Sequence, residues 1–400
     1  MIPPEEAWAR LEPHLAPLPE ERLALRDALG RVLARPLAAR VDVPPFDASA
    51  MDGYALAGAP EPGERRPVVG TVAAGDAPGL ALLAGTAARV MTGAPLPAGT
   101  DRVLPVEETD GGRDVVELRA VPAAGEHVRR RGEVVRAGEE LFAAGALLTP
   151  GALALLAAHG YDELPARRAP RVAVLATGNE LVPAEAEPGP GQLRDSNTPF
   201  LLAAGATLGL AFEPLGIARD EPEALGAALG RGLGADLLLV CGGVSAGEFD
   251  LVEPALARLG CETLFDAVAV QPGKPLVAAV HPGGLIVGLP GNPAAVMVDF
   301  WLFVRPALRR LLGGRDGYWQ GALRGRLTAP LAAARGRTRY LPAEVAFAEG
   351  ELLVAPVAPK GSHDLAAYAR GTALVRVPAG APPAPAGAAC EVLPLADWRS

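Results

Sequence analysis

VAVLATGNEL (172–181) is the stretch on which the fold turns. Its opening VAVLATG reads as a continuous apolar strand that ends on a glycine. The same pattern recurs downstream. TPFLLAAGATLG (198–209) reads as a helix, with Thr198 as N-cap and Pro199 in the first turn. FEPLGIA (212–218), ADLLLVCGG (235–243) and GGLIVGLPG (283–291) read as further strands. EPEALGAALGRGL (221–233), EFDLVEPALARLG (248–260) and NPAAVMVDFWLFVRPALRRLL (292–312) read as helices, the last capped by Asn292 with Pro293 just inside. Strands alternating with helices imply a doubly wound parallel sheet with helices on both faces. In such sheets ligands bind beyond the carboxyl ends of the strands.

The flanks have a different texture. EEAWARLEPHL (5–15) and EERLALRDALGRVLA (20–34) carry apolar residues three and four apart, and 129–160 returns to a helical pattern, so residues 1–44 and 130–168 are expected to form one discontinuous helical linker domain. Between them, residues 45–129 are short β-type pieces with turns about every ten residues, the pattern of an inserted small β domain. The α/β region spans 169–315, and residues 316–400 read as short strands of a C-terminal β-barrel domain.

Bulk properties narrow the function classes. The 400 residues carry a net charge of −9 with acids and bases scattered, which argues against a nucleic-acid binder. A local cluster or a metal can still draw an anionic substrate. No N-terminal secretory pattern and no apolar run of membrane-spanning length is evident, so a cytoplasmic protein is expected. Cys241, Cys261 and Cys390 have neither metal-ligand spacing nor a disulfide framework, and Cys241 ends an apolar run as a small core residue. Only two of the 37 basic residues are lysines, Lys274 and Lys360. A compact ammonium is not exchangeable with a planar guanidinium where a point charge is required.

The loops after the strands carry the chemistry. ATGNEL (176–181), CGGVSAGEFD (241–250) and GLPGNP (288–293) would all leave one edge of the expected sheet. Two of them place glycines between a strand and a helix, where backbone N–H groups can hold a phosphate, and Ser245 could add a hydroxyl. Glu180, Asp195, Asp220 and Asp250 fall at element boundaries. Asp220 and Asp250 have a competing reading as helix-capping or first-turn residues. Carboxylates beside a phosphate cradle repel the ligand unless a cation bridges them, and Mg²⁺ does so with few protein oxygens. QPGKP (271–275) puts Lys274 on a proline-fixed loop suited to a compact tetrahedral anion. In the inserted domain Asp52 lies on a glycine turn in SAMDGYAL, and Thr92 lies beside Gly93 in MTGAPLPAGTD; their competing reading is turn chemistry. His14, His127, His159, His281 and His363 are isolated, so neither a zinc site nor a Ser-His-Asp triad is indicated.

Taken together, DVPPFDASAMDGYAL, RVMTGAPLPAGTDRVLPVEE, RRRGE, VLATGNEL, RDSNTPFL, GGVSAGEFD, QPGKPL and GLPGNPAA resemble the molybdopterin molybdenumtransferases, bacterial MoeA and the matching domain of gephyrin. The match runs in order from about Val43 to Asp299. The resemblance implies a MogA-like doubly wound domain within a four-domain chain and a homodimer in which that domain of one subunit faces the inserted domain of the other. It implies adenylylated molybdopterin on the GGVSAG loop, molybdate near QPGKP, Mg²⁺-dependent release of AMP, and a possible molybdopterin adenylyltransferase partner. Carried over by motif, Asp52, Thr92, Glu180, Asp220 and Asp250 are catalytic, and Glu180, Asp220 and Asp250 are the metal ligands. Substrate contacts fall on Asp195, Ser196, Gly242, Gly243, Ser245, Gly247, Lys274, Pro290, Gly291, Asn292 and Pro293.

Several positions depart from that family's pattern. Val134 follows Glu133 where many relatives have an acid, Gln271 stands where some have lysine, and Ala366 and Ala367 replace serines. In GRTRYLP the basic residue of the site is either Arg337 or Arg339, and Pro342 stands where relatives often place an arginine. Two rival classes remain: a non-catalytic scaffold, which would be expected to carry long linkers, and a nucleotidyltransferase, which would turn over ATP with free molybdopterin.

Overall fold

Six strands form the central sheet, in the spatial order Phe212–Ala218, Val172–Thr177, Leu237–Cys241, Gly284–Leu289, Val277–His281, Glu262–Phe265. The first four are parallel neighbours. The last two extend the sheet by antiparallel pairing, an edge hairpin the strand–helix alternation did not reveal. Alternate residues of each parallel strand enter different cores, as the two-residue period of a strand requires. Val172, Val174, Leu237, Leu239 and Val287 pack with Phe300, Phe303 and Leu308 on one face. Ala173, Leu175, Leu238, Val240 and Ile286 pack with Leu225, Leu229 and Val252 on the other. The doubly wound arrangement expected for 169–315 is therefore present. The computed structural model describes residues 1–77, 79–244 and 251–395.

The last helix of this region is one helical run broken in its middle: Pro293–Asp299 is α-helical, Phe300–Val304 is a π turn, and Arg305–Leu311 resumes the α-helix. Asn292 is its N-cap residue but makes no side-chain capping bond. The earlier helix starts at Asn197 with Ser196, not Thr198, at its N-cap position, and the preceding Asp195 Oδ1 accepts from the N–H groups of Asn197 and Thr198 at 3.0 and 3.1 Å.

The C-terminal region is a closed five-stranded barrel. Thr338–Ala348, Glu351–Pro356, Leu323–Leu327, Ala389–Pro394 and Ala373–Val377 follow one another, and the first pairs with the last. The helical reading of the linker segments is corrected. Pro4–Leu11 and Pro150–Ala158 are α-helices as expected. Residues 20–34 are not: Glu20–Ala24 is a strand paired antiparallel with Glu163–Arg167, and Leu25–Asp27 is a single 3-10 turn. Within 130–148 the only regular element is the strand Glu140–Phe142, paired with Leu37–Ala38. These pairs join segments more than a hundred residues apart, which local periodicity cannot register.

By contacts the chain divides into two units, residues 1–34, 145–149 and 163–400, and residues 35–144 with 150–162. The second contains the inserted β domain, a five-stranded sheet ordered Arg102–Pro105, Gly53–Leu56, Ala87–Val90, Arg65–Val72, Val115–Glu117. Leu239 is fully buried in the central strand of the α/β sheet. Leu239→Ala is expected to cost about 2–5 kcal/mol, because the rigid sheet around it cannot collapse into the cavity. A fall in thermal midpoint measured by calorimetry checks this.

Candidate functional site

The parallel strands end together, so their loops share one rim of the sheet. Thr177 leads to Gly178–Glu180, Ala218 to Asp220, Cys241 to Gly242 and Gly243, and Leu289 to Pro290–Asn292. The three loops singled out by sequence are thus brought to one place, as far as they are described. Ser245, Gly247 and Asp250 lie outside the described residues.

Direct contacts stitch the rim. The Thr177 hydroxyl donates to Asp220 Oδ1 at 3.0 Å, and the Asn179 N–H donates to Asp220 Oδ2 at 3.3 Å. Asp220 therefore clamps two strand ends. It does not cap the following helix, whose N-cap residue is Glu221. The Gly242 N–H donates to the Leu289 carbonyl at 3.0 Å. Gly242 has φ +97° and a β-carbon there would sit 2.5 Å from the Thr177 carbonyl oxygen, so no other residue fits this crossing. Asn197 Nδ2 donates to the Gly291 carbonyl at 2.9 Å, tying the Asp195–Ser196 segment to the GLPGNP turn. Thr177, Asn179 and Asn197 were missed as site residues. All three lie inside the quoted motifs, and polar residues flanking glycine turns were the available signal.

Glu180 is exposed and its carboxylate lies over Gly178, where a β-carbon would stand 2.6 Å from Oε2. Glu180 and Asp220 therefore flank the same short turn. Among the described residues no three His, Cys, Asp or Glu side chains group as a metal site. Two carboxylates still suit Mg²⁺, which keeps several waters and takes few protein oxygens. Cys241 is fully buried and burial pushes its thiol upward, so it is core rather than nucleophile.

Beside the rim lies a cavity of 290 Å³. Its wall includes Gln271, Lys274, Asn292, Arg337, Arg339 and Ser362. It forms because Val270–Gln271 pairs in parallel with Thr338–Arg339 of the barrel, which sets the QPGKP loop against the barrel's arginines. Both candidate arginines are present. The C-terminal domain also contributes Ser362, which lies in the same GSHDLAAYARG stretch as Ala366 and Ala367. Among the described residues no carboxylate lines this wall. Arg339 is held in this wall by its Nη1, which donates to the Ala332 and Ala333 carbonyls at 3.3 Å each.

In the other unit, Asp52 and Thr92 meet. Asp52 Oδ1 accepts from the Thr92 N–H at 2.6 Å and from its hydroxyl at 2.8 Å. The backbone bond first, then the hydroxyl bond, lowers the carboxyl from its ordinary range, with the Arg89 charge adding to them. Asp52 is thereby held ionised, as a fixed acceptor.

A sheet whose glycine turns converge on one rim, next to a cationic cavity, defines an α/β protein built to hold anionic substrates beyond its strand ends. Comparison with known proteins places it further. Residues 2–160 match the MoeA N-terminal region (domain I and II), residues 173–310 a probable molybdopterin binding domain, and residues 324–395 the MoeA C-terminal region (domain IV). The chain is 39% identical over 370 residues to molybdopterin molybdenumtransferase 2 of Mycobacterium tuberculosis, covering 88% of this chain and 90% of that protein. It is 42% identical over 304 residues to the molybdopterin molybdenumtransferase of Synechococcus elongatus, covering 73% and 75%. A solved structure of a molybdopterin biosynthesis MoeA protein from Pyrococcus horikosii superimposes with a TM-score of 0.84 at 32% identity over the whole of both chains. The chain belongs to the MoeA family, and it is a transferase with a role in molybdenum cofactor biosynthesis. None of its described helices is long and apolar enough to cross a membrane.

Two outcomes follow from these contacts. Thr92→Val removes the hydroxyl donor while keeping the side-chain shape, and the Asp52 carboxyl should then titrate higher, read by carboxyl-carbon NMR. Gly273 has φ +111°, so Gly273→Ala strains the QPGKP loop and should lower the thermal midpoint.

Proposed function

We propose that the chain is a molybdenum insertase, transferring molybdate into adenylylated molybdopterin and releasing AMP. The observation that carries this reading is the 290 Å³ cavity, with Lys274, Arg337 and Arg339 in a wall that holds no carboxylate among the described residues. Molybdate is a compact tetrahedral dianion, and a small cavity with one ammonium and two guanidinium groups in its wall matches it in charge and hydrogen bonding. Pro290 and Asn292 line the same cavity and belong to the glycine-turn rim, so an anion there is a neighbour of whatever the rim holds.

In this reading the backbone N–H groups of Gly243 and Gly291 take the substrate's phosphates, together with Ser245, Gly247 and the Pro293 helix start, while Gly242, its own N–H held by the Leu289 carbonyl, shapes the turn. Asp195 and Ser196 shape the adjoining wall. Asp220 and Glu180, with Asp250, would hold Mg²⁺, which when bound neutralises the bridging phosphates as the link to AMP breaks. Asp220 has spare acceptor capacity for this, since each carboxylate oxygen has two lone pairs and each accepts one bond. Asp52, kept ionised by Thr92, serves the reaction as a fixed acceptor or base. The working state is a homodimer in the cytoplasm, supplied by a molybdopterin adenylyltransferase.

The direct test incubates the purified chain with adenylylated molybdopterin and measures AMP. Release only when molybdate and a divalent metal are both present is the expected result. No release from folded protein with both present rejects the reading. Asp52→Ala should fold with an unchanged thermal midpoint and lose most turnover; normal turnover would remove Asp52 from the mechanism. Arg339→Ala should weaken molybdate binding by about tenfold or more, the size of one lost charged hydrogen bond, measured by calorimetry.

A further inference from the structure

Asp299 is a buried acid the reaction does not use. It ends the helix Pro293–Asp299, is 0% exposed, and has both carboxyl oxygens without a hydrogen-bond partner. Its carboxyl lies directly behind the anion loop: a β-carbon at Gly273 would collide with Oδ1 and crowd Oδ2. Gly273 precedes Lys274, and both line the cavity. The described residues of the cavity wall include no carboxylate, yet one carboxyl stands immediately behind that wall.

An unpartnered carboxylate in a dry interior costs far more than its neutral acid. The ionisable side chains on the elements packed against this helix are few. Lys274 of the loop is exposed, Tyr368 and Arg370 lie on the helix Leu365–Arg370, and Asp195 lies at the start of the helix Asn197–Thr207. None of them hydrogen-bonds Asp299. Tyr368 donates instead to the Tyr340 carbonyl at 2.9 Å, and Asp195 accepts from backbone N–H groups. Arg370 is exposed. Burial alone raises the Asp299 carboxyl well above its ordinary range.

We propose that Asp299 is a positioning residue of the anion cavity: as a neutral acid it backs Gly273 and lets the loop present Lys274 to the oxyanion, and as a carboxylate it would oppose both. This rests on the cavity being the molybdate site. Removing the proton sets a negative charge behind the loop, against a dianionic ligand and in a medium that screens poorly.

The linkage has a definite sign. A carboxyl raised on folding stabilises the folded chain below its unfolded range, and that contribution is lost as pH rises toward its folded value. Asp299→Asn keeps the size and cannot ionise. The midpoint of the Asn variant minus that of the parent chain should therefore grow as pH rises from the ordinary carboxylate range into the alkaline range. Molybdate affinity of the parent should fall only at the alkaline end of that range, where Asp299 loses its proton in the folded chain, and the Asn variant should hold its affinity. A coupling of one pH unit appears as about a tenfold difference between the two at the alkaline end.

The experiment is calorimetric titration of the full-length chain with sodium molybdate between mildly acidic and alkaline pH, with thermal scans of both proteins in each buffer. Asp299→Ser replaces the Asn variant if the latter fails to fold. Identical pH profiles of affinity and of midpoint in parent and variant overturn the proposal while leaving the cavity as the molybdate site. No binding to the parent at any pH overturns the reading of the cavity, and this inference with it. Divergence of both profiles toward alkaline pH supports it.

Discussion

Everything at the candidate site depends on parallel strands ending in register. Thr177, Ala218, Cys241 and Leu289 stop at neighbouring places on one rim, and the chain must then turn within a few residues. Only glycine permits the crossing at Gly242, because the Thr177 carbonyl occupies the space of a β-carbon. The turns thus bring backbone rather than side chains to the rim, the kind of surface on which the proposed anion binding rests. Three ties make the rim one object: Asp220 holds the Thr177 hydroxyl and the Asn179 N–H from the neighbouring strand, the Gly242 N–H donates to the Leu289 carbonyl, and Asn197 Nδ2 donates to the Gly291 carbonyl.

The α/β region was legible because its inner strands Val172–Thr177, Leu237–Cys241 and Gly284–Leu289 are buried on both faces and read as nearly continuous apolar runs. Leu237–Cys241 is wholly buried, and no polar residue interrupts it. The linker was not legible. EERLALRDALGRVLA satisfies a helical period, yet Glu20–Ala24 is held by Glu163–Arg167, a partner that no local window contains. Long-range pairing overrides local propensity in such segments. The same limit hid the edge strand Val277–His281 beyond the QPGKP loop.

The site was legible in part for the same physical reason. Glycine turns and their acids announce themselves locally, so Gly242, Gly291, Glu180 and Asp220 could be named from sequence alone. Lys274 stood out as one of two lysines. Its arginine partners did not, because their approach depends on the two-residue pairing of Val270–Gln271 with Thr338–Arg339, across more than sixty residues of chain. The choice between Arg337 and Arg339 had no answer in sequence, and in the fold both line the cavity. Asp299 was invisible inside an apolar helical run, where an acid would ordinarily face water.

Keeping one carboxyl neutral behind a cationic wall is coherent with the electrostatics of the rim in front. There, Glu180 and Asp220 are carboxylates that a cation must offset, and they stand where a metal and phosphates would gather. In the cavity, no metal ligand set is in reach, so the positive charge must come from Lys274, Arg337 and Arg339 themselves. The two neighbouring anion sites therefore obey opposite rules. On the proposed reading the rim tolerates carboxylates because a divalent ion would join them, whereas the cavity has none among the described residues of its wall, and Asp299 behind it stands where burial suppresses its charge. Lys360, the other lysine, has no place in this division: it lies outside the cavity wall, and its N–H serves only the Asp364 turn.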